Sequence, residues 1–470
     1  MRAWTPAYVA DAAGARLLGD RGRARGGPTR AAIDSRTLTG GELFVGLPGA
    51  RTDGGAHARD ALAAGAWGVL VAPAHAAPLA SEGIVLEHED PLRGLQALAQ
   101  AWRTELGSGA ARVIAITGST GKTSTKDILA ALLRPHLRTA SSAENHNTEI
   151  GLPLALLAAP ADTQALVLEM AMRGPGQIAE LTAIARPDVG AIVNVGPVHL
   201  ELLGSLEAVA AAKAELIAGL APGATIVIPA GEPLLQAHLR DDMHTVTFGE
   251  GGDVQLVRAD GTGEVQVRAG GRVLELRPSF RERHNLTNLL AAVGCARALG
   301  VEPEGPVEVG FSAMRGERLE TDAGIVLIND CYNANPMSMR AAIDELAATA
   351  PGRRVAVLGD MLELGPQAPE LHRELGAHAA RRGVELLVTV GPLAENMLAA
   401  FAGDARAVAD ADAAAEALGG LLRSGDTVLV KGSRGVALER VAEALGARRD
   451  ANWASSPTGG AAPAAGARRR

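Results

Sequence analysis

The sequence predicts an α/β protein with three domains followed by a tail. At roughly 100–200 residues per domain, the 470 residues suggest about three domains. Short apolar runs alternate with helical stretches along most of the chain, which is typical of parallel sheets covered by helices. We place the domains at residues 1–108, 109–312 and 313–448, and we expect the Ala-, Gly- and Pro-rich residues 449–470 to be disordered.

Composition excludes several classes of protein. The net charge of −8 argues against a nucleic-acid partner held by bulk charge. The two cysteines, Cys295 and Cys331, cannot form a disulfide framework and fit a reducing compartment, and we expect Cys331 to be a small packed residue. The chain starts without a signal-peptide pattern and has no run of about 18 apolar residues. We therefore expect a cytoplasmic monomer without a membrane span.

The second half of the first domain contains a strand, a helix and a strand in succession. Apolar residues predict strands at 43–45 and 67–71, and a helical pattern covers residues 58–64. This order indicates a small α/β domain.

The second domain is expected to contain a mostly parallel sheet. Its predicted strands are residues 113–117, 165–168, 189–195 and 225–228, and its predicted helices are residues 124–133 and 206–220. Residues 254–279 instead alternate between apolar and polar side chains, which indicates antiparallel hairpins added to the sheet.

The third domain returns to the alternation of strands and helices. Its predicted strands are residues 325–328, 355–358, 386–390 and 428–430, and a Gly-rich turn closes the last strand at residues 430–435. The pattern predicts a Rossmann-like α/β domain.

A Gly-rich loop between a strand and a helix is the sharpest local signal. Residues 117–124 are Thr-Gly-Ser-Thr-Gly-Lys-Thr-Ser. Glycines allow the backbone to approach phosphates, and the N–H groups at the helix start hold the negative charge. Lys122 would reach the terminal phosphates and Thr123 would offer its hydroxyl to Mg²⁺. A strict Walker A motif has its first glycine at the position of Ile116, so the alternative is an ordinary Gly-rich turn.

Three polar residues follow strands farther along the chain, where open α/β sheets bind ligands. Glu169 follows the strand at 165–168, His199 follows the strand at 189–195, and Lys213 lies on the next helix. Taken alone, Glu169 is explained as a surface carboxylate, His199 as a helix N-terminal residue and Lys213 as a solvated lysine. Beside a phosphate loop, Glu169 and His199 become candidate Mg²⁺ ligands, although a histidine is an unusual ligand for a hard cation.

Residues 30–440 resemble the Mur ligase superfamily. The phosphate loop has the family's shorter glycine spacing, and the Asn-Val-Gly-Pro-Val-His segment at 194–199 is similar to one whose His binds a second Mg²⁺. The segment around Lys213 resembles one in which the lysine is carbamylated in many members. The family usually has Asp-Gly-His where this chain has Asp53-Gly54-Gly55, with His57 two places on.

The resemblance implies roles for particular residues. Lys122, Glu169, His199 and Lys213 would be catalytic, and Thr123, Glu169, His199 and Lys213 (as its carbamate) would hold Mg²⁺. The implied ATP contacts are Gly118, Ser119, Thr120, Gly121, Lys122, Thr123, Ser124, Asn285, Asn288, Arg318 and Asp330. The implied substrate contacts are Ser35, Arg36, Phe44, Asn145, Asn147, Thr148, Tyr332, Asn333, Asn335, Ser433 and Arg434.

Two segments narrow the resemblance within the family. The segments at 329–336 and 144–153 look like those of the branch that joins D-alanyl-D-alanine to UDP-N-acetylmuramoyl-tripeptide through an acyl phosphate. The implied domains are therefore an N-terminal UDP-sugar-binding domain, a central ATP-binding domain and a C-terminal ligase domain. The alternatives are an amide ligase similar to folylpolyglutamate synthase, which lacks the first domain, and a P-loop ATPase that does not ligate.

Overall fold

The computed structural model describes residues 1, 3–19, 26–49, 52–143, 145–260 and 263–449, and its strands form three sheets. Residues 450–470 of the predicted tail and Glu144 of the 144–153 segment lie outside the described residues. No helix in the described part of the chain combines the length and the apolar character that a bilayer crossing needs. The predicted α/β class is confirmed.

The first sheet has five strands. They are β1 (Arg16–Gly19), β2 (Ala31–Ala32), β3 (Leu43–Val45), β4 (Gly68–Val71) and β5 (Val85–Glu87), in the order β1-β5-β4-β3-β2. The helices of this segment are α1 (Pro6–Ala12), α2 (Ala58–Ala63), α3 (Pro73–Ala76) and α4 (Pro91–Ser108). Strands β2 to β5 pair in parallel and β1 pairs antiparallel to β5.

The central sheet has ten strands. They are β6 (Arg112–Thr117), β7 (Thr139–Ser141), β8 (Ala165–Glu169), β9 (Val189–Ile192), β10 (Thr225–Pro229), β11 (His244–Phe248), β12 (Val254–Ala259), β13 (Val265–Ala269), β14 (Arg272–Pro278) and β15 (Gly305–Val307). Their order is β15-β14-β13-β12-β11-β10-β9-β6-β8-β7, and only the β12–β13 and β13–β14 pairs among the described strands are antiparallel. The predicted parallel sheet with added hairpins is confirmed.

Helices cover both faces of the central sheet. They are α5 (Lys122–Leu133), α6 (Gly151–Ala158), α7 (Gln177–Ala185), α8 (Leu200–Leu203), α9 (Leu206–Gly219), α10 (Pro233–Gln236) and α11 (Arg283–Ala298). The predicted helix at 124–133 begins two residues earlier, at Lys122. The predicted strand at 189–195 ends at Ile192, because the backbone beyond it turns towards the Gly-rich loop and Asn194 bonds to that loop.

The third sheet has seven strands. They are β16 (Glu317–Glu320), β17 (Val326–Asn329), β18 (Arg354–Gly359), β19 (Leu386–Val390), β20 (Asp404–Val408), β21 (Thr427–Lys431) and β22 (Arg448–Arg449), in the order β20-β19-β18-β21-β17-β16-β22. The helices are α12 (Pro336–Thr349), α13 (Ala368–Arg381), α14 (Ala411–Leu421) and α15 (Glu439–Ala444). The four predicted strands are confirmed, and Cys331 is packed in the core as expected.

Short 3-10 helices complete the connections. They are Ser35–Thr37, Gly54–His57, Ala77–Leu79, Gly365–Gln367, Ala394–Ala400 and Arg434–Val436. The limits of the three domains stay predictions, although the described strands of the three sheets lie at 16–87, 112–307 and 317–449.

Helix α4 joins the first sheet to the central segment. Its buried side chains belong to a core cluster that extends from the first sheet to α6 and α7. Trp102 Nε1 donates to the carbonyl of Ala159 at 3.1 Å, and Arg103 donates to the carbonyl of Ala185 at 2.9 Å and to Asp188 Oδ2 at 3.0 Å. A fragment that ends at residue 108 would expose this face, so the first predicted domain is not independent of its neighbour.

We predict that Trp102→Ala lowers the free energy of unfolding of the whole chain by about 3–5 kcal/mol, because it opens a cavity in this shared core. Urea unfolding would measure the change. Arg93→Ala is the matched control, since Arg93 is exposed on the same helix and its pairing with Glu180 at 3.4 Å is worth about 0–1 kcal/mol. Equal midpoints for the two variants would contradict the shared core.

Candidate functional site

The Gly-rich loop lies at the carboxyl end of β6, which runs between β9 and β8 in the central sheet. Gly118 has φ 154° and Gly121 has φ 78°, in the region that favours glycine. A Cβ on Gly121 would lie 2.5 Å from Asn288 Oδ1, so α11 leaves no room for a side chain there. A Cβ on Gly118 would lie 3.1 Å from Val193 Cβ, so the loop is confined at its two glycines by the segment after β9 and by α11.

Asn194 fixes the shape of this loop. Its Oδ1 accepts the N–H groups of Ser119 at 3.0 Å and Thr120 at 2.9 Å, and its Nδ2 donates to the Thr120 carbonyl at 3.1 Å. The hydroxyl of Ser119 donates to the carbonyl of Gly196 at 3.1 Å. These bonds leave the N–H groups at the first turn of α5, which have no intrahelical acceptor, for an anion.

Lys122 and Thr123 follow the loop at the start of α5. Lys122 Nζ donates to the Gly118 carbonyl at 2.9 Å, and burial lowers the pKa of Lys122 while the charge of Glu169 opposes that shift. Thr123 Oγ1 donates to Glu169 Oε2 at 2.6 Å, and Asn147 Nδ2 donates to Glu169 Oε1 at 2.9 Å. The structure thus brings the Lys122 ammonium, the Thr123 hydroxyl and the buried Glu169 carboxylate together at the start of α5.

The Thr123 and Glu169 oxygens fit Mg²⁺. This hard cation prefers oxygen ligands and is usually bound by one or two carboxylates together with substrate phosphates. Within the described ranges, no group of three or more His, Cys, Asp or Glu side chains could hold a metal by itself. A metal at this position would therefore depend on the phosphates of a bound nucleotide.

His199 and Lys213 lie on the same side of the site. His199 precedes α8 with φ 53°, and its Nδ1 lies 2.5 Å from Glu363 Oε2 of the third segment. Lys213 on α9 is 2% exposed, and among the described residues it has no ion-pair partner. Burial, with a smaller contribution from the Lys122 charge, holds the pKa of Lys213 well below its usual range.

The third segment supplies the opposite wall of the site. Lys431 Nζ pairs with Asp330 Oδ2 at 2.7 Å and donates to the Asn333 carbonyl at 2.9 Å. Arg318 Nη2 donates to Glu345 Oε1 at 3.1 Å and to the Thr349 hydroxyl at 2.7 Å, so its guanidinium is engaged within its own domain.

Arg315 is a second arginine at this wall. Its guanidinium carbon lies 3.9 Å from the centre of the Tyr332 ring, and its Nε is buried without a hydrogen-bond partner among the described residues. The Tyr332 hydroxyl donates to Asn145 Oδ1 across the cleft. Arg315, rather than Arg318, is therefore the guanidinium with an unused donor near the loop.

A cleft of about 1110 Å³ joins these groups, and most of the predicted site residues line it. Those lining it are Gly118, Ser119, Thr120, Gly121, Lys122, Thr123, Ser124, Asn145, Asn147, Thr148, Glu169, His199, Lys213, Asn285, Asn288, Arg318, Asp330, Tyr332, Asn333, Asn335, Ser433 and Arg434. Asn335 also caps α12, since its Oδ1 accepts the Ser338 N–H at 2.9 Å.

Three predicted substrate contacts, Ser35, Arg36 and Phe44, do not line this cleft. Phe44 is 1% exposed in the core of the first sheet, so the expected side-chain contact with substrate is not supported. Ser35 begins a 3-10 helix, and Arg36 donates to Asp34 at 2.9 and 2.7 Å, which lowers the pKa of Asp34 to about 2. This pair is exposed at the surface of the first segment.

The departure at Gly55 has a structural reason. His75 Nε2 lies 2.7 Å from Asp53 Oδ2, and a Cβ on Gly55 would lie 2.3 Å from the His75 ring. His57, which follows in sequence, ends the 3-10 helix instead. Glycine at 55 thus makes room for an imidazole that comes from another part of the chain.

Sequence reasoning did not assign Asn194, Arg315, Glu363 or Lys431 to the site. One signal was available: only four of the 45 basic residues are lysines, namely Lys122, Lys126, Lys213 and Lys431. Three of them line the cleft, and the fourth, Lys126, is buried on α5 and donates to the Ser142 carbonyl at 3.0 Å. All four lysines are thus buried or half-buried, at positions where a compact ammonium and a planar guanidinium are not interchangeable.

Comparisons with known proteins agree with this geometry. The model of the Mur ligase middle domain matches residues 116–296, and the model of the Mur ligase glutamate ligase domain matches residues 314–434. A UDP-N-acetylmuramoyl-tripeptide–D-alanyl-D-alanine ligase from Bacillus subtilis is 36% identical over 425 residues, which cover 88% of this chain and 92% of the relative. The enzyme of that name from Escherichia coli is 32% identical over 428 residues, with coverages of 88% and 92%.

Solved structures of Mur ligases are also similar to this chain. The MurF of Acinetobacter baumannii has a TM-score of 0.81 and 27% identity, with 94% of this chain and 99% of that chain covered. The MurF ligase of Thermotoga maritima in complex with ADP has a TM-score of 0.76 and 31% identity, with coverages of 88% and 96%. The chain belongs to the Mur ligase family.

Proposed function

We propose that this protein is an ATP-dependent ligase that joins D-alanyl-D-alanine to UDP-N-acetylmuramoyl-tripeptide in peptidoglycan precursor synthesis. One observation carries the proposal: a single cleft brings the phosphate loop together with Glu169, Lys213 and the Tyr332 segment. Relatives of that name match along 88% of the chain. A cytoplasmic location is part of this proposal.

The nucleotide is proposed to bind across the two walls of the cleft. The first turn of α5 and Lys122 hold its phosphates, and Thr123 with Glu169 would hold Mg²⁺, which neutralises part of the phosphate charge when bound. Asn285, Asn288 and Asp330 also line the cleft and are proposed to contact the nucleoside. The buried unused Nε of Arg315 supports a phosphate contact by that residue in place of Arg318.

The proposed reaction has two steps. The tripeptide carboxylate attacks the γ-phosphorus of ATP in line and forms an acyl phosphate, while ADP leaves. Lys122 stabilises the charge that develops on the transferring group. The amine of D-alanyl-D-alanine then attacks the acyl carbon, loses a proton, and displaces inorganic phosphate as the amide forms.

Water must be excluded while the acyl phosphate exists, because water would hydrolyse it. The third segment covers the cleft and contacts the central segment through polar pairs. Besides the Tyr332 bond to Asn145, Glu363 Oε2 lies 2.5 Å from His199 Nδ1, and the Glu363 carbonyl accepts the Glu201 N–H at 3.2 Å. These contacts support a third domain that closes over the bound substrates.

A phosphate-release assay tests the function. UDP-N-acetylmuramoyl-tripeptides with diaminopimelate or lysine are crossed against dipeptides of D-amino acids. Release that requires both substrates and yields the amide product supports the ligase. ATP hydrolysis without either substrate favours the non-ligating ATPase, and ligation of glutamate to a folate would favour the folylpolyglutamate synthase-like alternative.

Lys122→Ala is expected to reduce turnover to less than about a tenth of the parent rate, since loss of one cation at the transferring phosphate raises the barrier by more than ~1.4 kcal/mol. Steady-state phosphate release measures this. Arg134→Ala, an exposed basic residue at the end of the same helix, is the control and should keep the parent rate. A Lys122→Ala enzyme with near-parent turnover, folded by circular dichroism, would refute the assignment.

Lys213 is expected to be carbamylated. Burial without a counter-charge lowers the pKa of the Lys213 amine and so favours its neutral form, which reacts with CO₂ to give an anion with two oxygens. Lys213→Ala should lose most activity and regain part of it with acetate, whereas Lys213→Arg should not be rescued because its guanidinium fills the space.

Carbon-13 NMR after equilibration with labelled bicarbonate provides a measurement that does not depend on turnover. The parent protein should show a carbamate carbon that is absent from Lys213→Arg. A parent spectrum without this signal, together with normal turnover of Lys213→Ala, would show that Lys213 is an ordinary buried lysine.

Lys431 is expected to hold Asp330 and the Asn333 backbone in place for ligand binding. Its ammonium has three donors and meets the Asp330 carboxylate, the Asp330 carbonyl at 3.3 Å and the Asn333 carbonyl. Lys431→Met should raise the KM values for ATP and for the dipeptide by about tenfold or more, since the half-buried Asp330 carboxylate loses its partner. Arg353→Met, which breaks the 3.6 Å pair with Asp426 in the same sheet, is the control. Unchanged KM values in Lys431→Met would exclude the role.

A further inference from the structure

Glu363 places a carboxylate of the third segment against an imidazole of the central segment. Its Oε2 lies 2.5 Å from His199 Nδ1, and its side chain is 39% exposed against 23% for His199. A carboxylate at this distance accepts a hydrogen bond, so Nδ1 carries the proton. The other ring nitrogen, Nε2, is then the one left to bind a ligand in the cleft that His199 lines.

The backbone around Glu363 is shaped to make this contact. Glu363 has φ 64°, a conformation that costs a side-chain-bearing residue roughly 1 kcal/mol or more. Its carbonyl accepts the N–H of Glu201, two residues after His199, at 3.2 Å. Gly365 has φ 60°, and a Cβ there would lie 3.1 Å from the Cα of Glu201. The turn between β18 and α13 therefore packs closely against α8.

A surface ion pair alone does not account for these features. The second partner of Glu363 is Arg173, whose Nε is 3.7 Å from Oε1 and whose side chain is 75% exposed. Exposed pairs of this kind contribute about 0–1 kcal/mol, too little to explain the strained backbone. The shorter contact is directed at a specific ring nitrogen of a residue in the cleft.

We propose that Glu363 is a positioning residue that fixes the Nδ1–H tautomer and the ring orientation of His199 when the third domain is docked. A histidine that binds a metal through one nitrogen almost always donates from the other to a carboxylate or carbonyl, and that partner orients the ring. Here the partner comes from another domain. Docking of the third domain then presents His199 Nε2 to the cation beside the phosphates, which couples closure of the cleft to metal binding. The presence of this cation is part of the proposed function, and this step of the inference depends on it.

Two substitutions separate this role from others. Glu363→Ala removes the acceptor. Glu363→Gln keeps an oxygen that accepts the Nδ1–H but removes the charge. Glu370→Ala is the matched control, because Glu370 is an exposed carboxylate of the neighbouring helix α13 that pairs only with Arg373 among the described residues.

The first readout is nitrogen-15 NMR of the histidine rings in the metal-free, full-length protein at pH 8, with His199→Gln to assign the signal. The parent and Glu363→Gln should show Nδ1 protonated and Nε2 unprotonated. Glu363→Ala should shift the ring towards the Nε2–H tautomer. A tautomer in Glu363→Ala equal to that of the parent would overturn the proposal, and this readout uses neither ATP nor the peptide substrates.

The second readout is the dependence of ligation on Mg²⁺. Glu363→Ala should require about 10–100-fold more Mg²⁺ for half-maximal rate, the range typical for loss of a group that orients a metal ligand. Glu363→Gln and Glu370→Ala should stay close to the parent. The two variants could need the same increase in Mg²⁺ for half-maximal rate while Glu363→Gln keeps the parent tautomer of His199. Glu363 would then act as a charged proton acceptor, and the positioning role would be overturned. If the parent released no phosphate in response to the dipeptide, the proposed ligase function would be refuted instead. The NMR result on the His199 tautomer would still test the role of Glu363.

Discussion

The parallel register of β6 with its two neighbours is the constraint on which the site depends. Ile116 lies opposite Glu169 of β8, and Thr117 lies opposite Ile192 of β9. The carboxyl ends of these strands therefore meet at one edge, where ligands bind in open α/β sheets. Thr123 reaches Glu169, and Asn194 reaches the loop, only because these strand ends are level. A shift of register in either pair would separate the carboxylate from the phosphate loop.

Three lysine side chains dominate the chemistry of the cleft. Burial disfavours the charged form of an amine, so each ammonium needs either a partner or a ligand that supplies negative charge. Lys431 has its partner in Asp330, whereas Lys122 bonds to a neutral carbonyl and Lys213 has no acid partner among the described residues. Lys122 therefore favours a polyanionic ligand at the loop, Lys213 favours conversion to its carbamate, and Lys431 is balanced by Asp330.

The two domain junctions differ in physical character. Helix α4 joins the first segment to the central one through a continuous apolar core, which favours a fixed arrangement. The central and third segments meet across the cleft through polar contacts, including His199 with Glu363, Arg173 with Glu363, and Tyr332 with Asn145. Polar junctions of this kind permit relative domain motion. The molecule therefore combines a rigid two-segment base with a third segment suited to open and close.

The sequence by itself determined the α/β class, most strands and the position of the phosphate loop, because apolar periodicity and glycine placement are local properties. It also placed Glu169, His199 and Lys213 near strand ends or on the next helix. Only the tertiary structure decided which side chains face the cleft. Phe44 is buried because its strand packs under α2, and Arg318 is engaged by α12 while Arg315 keeps an unused donor. Glu363 meets His199 across 164 positions of sequence, and no local pattern encodes a contact between two domains.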